Sequence, residues 1–142
     1  MKLFNTISIS SSGLSAERLR LDVVANNIAN ANTTRTANGG PYRKKVAVFQ
    51  EVVDRELKKK FSAFSGKGVK VSAIVEDQSP PRLAYNPNHP DADNNGFVSM
   101  PNIDLAVEMA DMITATRAYE ANITVLNATK SMALKALEIG RG

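Results

Sequence analysis

A chain of 142 residues, 43% hydrophobic and 6% aromatic, suffices for one domain, or for a small domain with helical extensions. It has no cysteine, which excludes disulfide staples, zinc knuckles and thiol nucleophiles. Its longest apolar run, Val46 to Phe49, falls far short of the ~20 residues of a membrane-spanning helix and the ~7–15 of a signal-peptide core.

Export by a route that reads no cleavable signal is therefore expected if the protein leaves the cytosol. The net charge of +4 hides a polarity: residues 35–70 hold 10 basic and 3 acidic side chains, residues 71–111 hold 1 and 7. Adjacent blocks of opposite sign suit self-complementary, head-to-tail contacts better than nucleic acid.

The first element is a predicted helix from Leu3 to about Ala31. Ile7, Leu14, Leu21 and Ile28 recur at intervals of seven, the spacing that keeps one stripe facing a partner helix. Phe4, Val24, Ala25 and Ala31 lie beside that stripe. Gly13 follows Ser10-Ser11-Ser12 and costs ~1 kcal/mol against Ala in a helix interior, so fraying or a bend is expected there. Asn26, Asn27, Asn30 and Asn32 alternate with Ala25, Ala29 and Ala31. Asn is a poor helix former, and amides at a close helix contact fix register at some cost in stability.

The middle, about 34–100, reads as turns and strands. Arg43–Val53 begins as a basic, alternating stretch and is expected to turn helical over Glu51–Phe61. Val69 to Val75 alternates with period two and reads as a strand, as does the shorter Arg82-Leu83-Ala84-Tyr85 after Pro80-Pro81. Asn86–Gly96 is a turn-rich loop.

The last element is a predicted helix from about Asn102, the expected N-cap, to Ile139, with Asp104 in its first turn and Gly140 as the stop. Leu105, Met109, Met112, Thr116, Tyr119, Ile123, Leu126, Lys130, Ala133 and Leu137 follow steps of 4 and 3, a helical seam. The expected fold class is thus mainly α with a small β-rich middle, the terminal helices forming a coiled-coil-like pair around an α+β or β insert. Three segments are expected: 1–33, 34–100 and 101–142. Two such helices carry more apolar surface than one pairing covers, which implies packing against further copies or relatives.

Candidate chemistry is sparse. Asp91-Ala92-Asp93-Asn94-Asn95-Gly96 matches the first half of a calcium loop, but Asn102 stands at the twelfth position in place of a bidentate Glu, and His89-Pro90 precludes an entering helix. An Asx-rich turn is the expected reading. His89, the only histidine, has no partner pattern. Lys58-Lys59-Lys60 and Arg43-Lys44-Lys45, with Tyr42, Phe49, Phe61 and Phe64 nearby, lack any nucleic-acid motif. Neither an enzyme nor a metal, cofactor or nucleic-acid site is expected.

The run Ser12-Gly13-Leu14-Ser15-Ala16 through Leu21-Asp22-Val23-Val24-Ala25-Asn26-Asn27-Ile28-Ala29-Asn30-Ala31-Asn32-Thr33 resembles the N-terminal signature of the bacterial flagellar axial proteins of rod and hook. Arg117-Ala118-Tyr119-Glu120-Ala121-Asn122, with Leu126 and Ala133 to Gly140, resembles their C-terminal signature. Within that family the middle is similar to proximal rod subunits. Gly39 to Lys45, Val69-Lys70-Val71, Pro80-Pro81-Arg82-Leu83, His89-Pro90-Asp91-Ala92 and Met100-Pro101-Asn102 carry this likeness. Asn86 and Asn88 depart from it, standing where Asp and Gly are expected.

The resemblance implies a structural subunit of the basal-body rod, the drive shaft crossing the periplasm. It further implies export without a cleaved signal by the flagellar type III apparatus. Implied partners are other copies and neighbouring rod proteins such as FlgB, FlgF and FlgG. The terminal helices would form an inner tube and the middle an outer layer. Carried onto this chain, the assembly interface comprises Ile7, Leu14, Leu21, Val24, Asn27 and Ile28, with Leu105, Met109, Met112, Tyr119, Ile123, Leu126 and Leu137. A coiled-coil adaptor or export chaperone is the alternative.

Overall fold

A computed structural model describes residues 2–53 and 66–140. Among these residues two helices, α1 (Lys2–Ala29) and α2 (Leu105–Ile139), flank four strands: β1 (Lys45–Val53), β2 (Gly66–Glu76), β3 (Arg82–Tyr85) and β4 (Phe97–Met100). The expected fold class, terminal helices around a small β-rich middle, is the one observed.

α1 is one continuous helix through Gly13, so the expected fraying there does not occur. The missing side chain is used by the partner helix: a Cβ at Gly13 would lie 3.1 Å from the Asn122 amide nitrogen. Close approach offsets what glycine costs in helix propensity. Asn27 donates to Glu108 and Arg20 pairs with Asp111. Ascending positions on α1 thus meet descending positions on α2, and the helices are antiparallel. Extending the offset of the 13/122 and 27/108 pairs places Lys2 level with Ala133, so the last turns of α2 run past the start of α1.

The N-cap of α2 is Asp104, not the expected Asn102. Its carboxylate accepts from the backbone N–H groups of Ala106 at 2.9 Å and Val107 at 3.4 Å, meeting two donors that the first turn leaves unpaired. Pro101 and Ile103, ahead of it, are buried.

β1 and β2 form an antiparallel ribbon with Val46 opposite Val75 and Val48 opposite Ala73, and register breaks at Val48/Phe49 and Glu51/Val53. Glu51–Val53 is therefore strand, not helix. The rest of the helix expected over Glu51–Phe61 lies outside the described residues, as does Lys58-Lys59-Lys60. A lone two-stranded ribbon is marginal in water, and this one lies on α1. Gly68 makes that possible. Its φ is +109° and a Cβ there would collide with the Ser12 hydroxyl, which accepts from Val69 N–H at 3.1 Å. Gly68→Ala is expected to lower the unfolding free energy by at least about 2 kcal/mol, through strain and the lost hydroxyl contact. Urea denaturation against the parent chain measures it.

β3 and β4 form a second antiparallel pair, with Ala84 opposite Val98 and Tyr85 opposite Phe97. β4 was not expected from sequence: four residues after an eleven-residue loop carry no hairpin signal. Asp93 Oδ1 accepts from Asn95 and Phe97 N–H, both at 2.8 Å, which is the Asx turn expected there. Asp91 binds Thr34 Oγ1 at 2.8 Å and Arg35 at 2.6 Å, tying the hairpin loop to the segment after α1.

Candidate assembly interface and the polar node behind it

The chain leaving α1 reverses at Gly39 and Gly40, with φ values of +80° and +75°, a conformation nearly reserved to glycine. Thr36 N–H donates to Gly40 O at 2.9 Å, and Tyr42 N–H donates to Thr33 O at 3.0 Å. The turn brings Tyr42, Lys44 and Lys45 back over the end of α1.

There Asn27, 1% exposed, satisfies every hydrogen-bonding site it has. Nδ2 donates to Lys45 O at 2.8 Å and to Glu108 Oε2 at 3.0 Å. Oδ1 accepts from Lys45 N–H at 2.9 Å and from the Tyr42 hydroxyl at 3.2 Å. The amide grips the first residue of β1 at two points, as a neighbouring strand would, and holds it against α2. Glu108, also 1% exposed, lies in the first turn of α2, where the helix dipole favours an anion. Its Oε1 is 2.6 Å from Lys44 Nζ. Three segments far apart in sequence meet at this node.

Burial raises the Tyr42 phenol above its ordinary 10.0, with the charges of Glu76 and Glu108 adding to the effect. The folded state thus holds this proton more tightly than the unfolded chain. Its contribution to stability is complete below pH 10 and is lost as pH rises through the folded value. A thermal melting series is expected to fall above pH 10, and Tyr42→Phe is expected to remove Tyr42's share of that fall.

The charge blocks are spent partly within the chain: Arg35 on Asp91, Lys44 on Glu108, Arg20 on Asp111. The head-to-tail contacts read from the blocks are correspondingly weakened, since five of the blocks' charges are already paired.

The interface residues expected from sequence divide in two. Val24 and Asn27 are buried; Ile7, Leu14, Leu21, Ile28, Met112, Tyr119 and Leu126 are half-buried; Leu105, Met109, Ile123 and Leu137 are exposed. Most of the α2 face against α1 is different: Glu108, Ala115 and Thr129 are buried and Asn122 half-buried, all seven residues apart. One column of the predicted seam, Met112, Tyr119 and Leu126, thus flanks the contact that the chain makes with itself, while the other, Met109, Ile123 and Leu137, is exposed. Periodicity counted from apolar residues passed over Glu108, Gly13 and Asn122 because they are polar or small. The Asn-rich patch was the one visible signal. Meanwhile Met109 is 58%, Leu137 66% and Ile139 82% exposed, large apolar side chains that the chain's own fold leaves to water.

Among the described residues no group of three or more His, Asp or Glu could hold a metal ion, and no described helix is long and apolar enough to cross a membrane. His89 Nδ1 accepts from Asp91 N–H at 3.1 Å, a local turn contact.

Residues 7–35 match the family model described as flagella basal body rod protein, and residues 94–139 the model described as flagellar basal body rod FlgEFG protein C-terminal. At full length the chain is similar to flagellar basal-body rod protein FlgC of Borreliella burgdorferi, 47% identical over 152 aligned residues covering 100% of both. It is similar also to that of Bacillus subtilis, 46% identical over 99% of this chain and 100% of the relative. The Salmonella typhimurium protein is 45% identical at the same coverage.

Proposed function

The chain belongs to the family of FlgC-type flagellar basal-body rod proteins, and from that premise we propose that it is a structural subunit of the proximal rod, transmitting torque and catalysing nothing. One observation carries this reading: α2 spends Glu108, Ala115, Asn122 and Thr129 on α1 and keeps Met109, Ile113, Leu134 and Leu137 exposed. In water that distribution is unfavourable; in a tube of packed helices it is the required one. The partners are then further copies and neighbouring rod proteins such as FlgB, FlgF and FlgG, and the helices form the inner layer with the β-rich middle outside. Packed side chains resist shear between subunits, so rotation passes along the shaft. On this reading the subunit reaches the periplasm-spanning rod through the flagellar type III apparatus.

The test is a flagellated strain whose own rod gene is replaced by this one. The protein is expected in purified basal bodies, and Leu126→Asp, which sets an unpaired charge on the helix seam, is expected to abolish swimming. A chain found only in the cytosol with its export substrates would be an adaptor or chaperone.

A further inference from the structure

The apolar repeats of the two helices do not by themselves choose how the helices align. On α1, Ile7, Leu14, Leu21 and Ile28 recur every seven residues; on α2, Met112, Tyr119, Leu126 and Ala133 do the same, and all eight are half-buried. Sliding α2 by seven residues, about 10 Å, replaces each apolar residue by its repeat. The polar column is not so tolerant. On α1 its levels are Gly13, Arg20 and Asn27; on α2 they are Asn122, Ala115 and Glu108. Every level is chemically different. Asn122 needs the gap at Gly13. Arg20, level with fully buried Ala115, reaches Asp111 one turn along. Asn27 needs Glu108. A slide of one heptad leaves the Asn27 amide facing Ala115, which offers no side-chain acceptor, in one direction, and carries it beyond the first turn of α2 in the other.

We propose that this column, with the Asn27–Glu108 pair as its principal element, is a register key that selects one alignment of the terminal helices from a set that the apolar repeats leave nearly equal. A buried polar pair of this kind contributes less to stability than to uniqueness. The key also decides which apolar residues remain outside, because a slid α2 would present a different set to any neighbour. The argument rests on the helix pair alone and not on the rod assignment.

The chain has no cysteine of its own, so Arg18→Cys and Lys130→Cys, on exposed positions of α1 and α2, give a unique spin-label pair. Electron–electron distances are measured on the full chain in trimethylamine N-oxide, with far-UV circular dichroism reporting helix content. The parent is expected to give one distance. Asn27→Leu with Glu108→Leu is expected to keep the helices and to add a second population displaced by up to about 10 Å. Glu108→Gln, whose amide oxygen still accepts from Asn27, is expected to keep the single distance. A single native distance in the double-leucine variant would place register control elsewhere and overturn the proposal. Loss of helix in that variant would overturn it too, since a key is dispensable to pairing itself. A second population in Glu108→Gln would refute the hydrogen bond as the selecting contact.

Discussion

Asn27→Ala is expected to lower the unfolding free energy by about 3 kcal/mol, the largest effect of any single truncation in the chain's own fold. The number does not come from four hydrogen bonds counted at full strength, because each exchanges with water on unfolding. It comes from what is left behind. Lys45 N–H and O lose their partner, and the Glu108 carboxylate, 1% exposed, keeps only Lys44. Asn27→Asp is expected to do at least as badly despite its matching shape. It loses both donors and sets a second carboxylate where the amide lay 3.0 Å from Glu108 Oε2. The paired replacement of Asn27 and Glu108 by leucine is milder than either single change, because no buried carboxylate is stranded. Urea unfolding followed by circular dichroism, in the osmolyte that populates the helical state, orders the variants. Equal stability of Asn27→Ala and the parent would refute the node as described.

Leu137→Asp is expected to behave in the opposite way: no swimming, with the subunit's own fold unchanged to within about 0.5 kcal/mol. Leu137 is 66% exposed on the part of α2 that runs past the start of α1, so the isolated chain loses almost nothing when it becomes charged. In the proposed rod the same side chain is covered by a neighbour, and an unpaired carboxylate there costs several kcal/mol. Leu137→Met, which conserves volume and polarity, is expected to swim normally. Motility plates, with immunoblots of whole cells and purified basal bodies, separate loss of incorporation from loss of protein. Normal motility of Leu137→Asp would mean that the overhang stays wet in the assembly. Asn27→Ala damages the subunit before it meets a partner, whereas Leu137→Asp damages only the meeting.

The contrast marks what was legible beforehand. Both helices, β3 and the β2 region were readable because each has one dominant period, 3.5 to 3.6 or 2, that local chemistry sets. The same period put Leu105, Met109, Ile123 and Leu137 on one stripe, without saying that these four stay exposed on the chain's own fold. The short strand β4 was not, since its partner Arg82–Tyr85 lies across eleven loop residues and supplies the only reason for it to be extended. Gly13 reads as a flaw in a lone helix and becomes a contact only when Asn122 is opposite.

From the sequence alone came the elements, the apolar stripes, the excess of those stripes over what one pairing can cover, and the resemblance to flagellar axial proteins. Periodicity is a property of one segment and survives being read in isolation. Only the tertiary structure decided which stripe faces inward, which charges are already neutralised, and that Asn27, Tyr42, Lys44 and Glu108 form one node. A polar side chain has the same identity in water and in a core; its worth depends on the partner beside it, and that partner is 81 residues away from Asn27 along the chain.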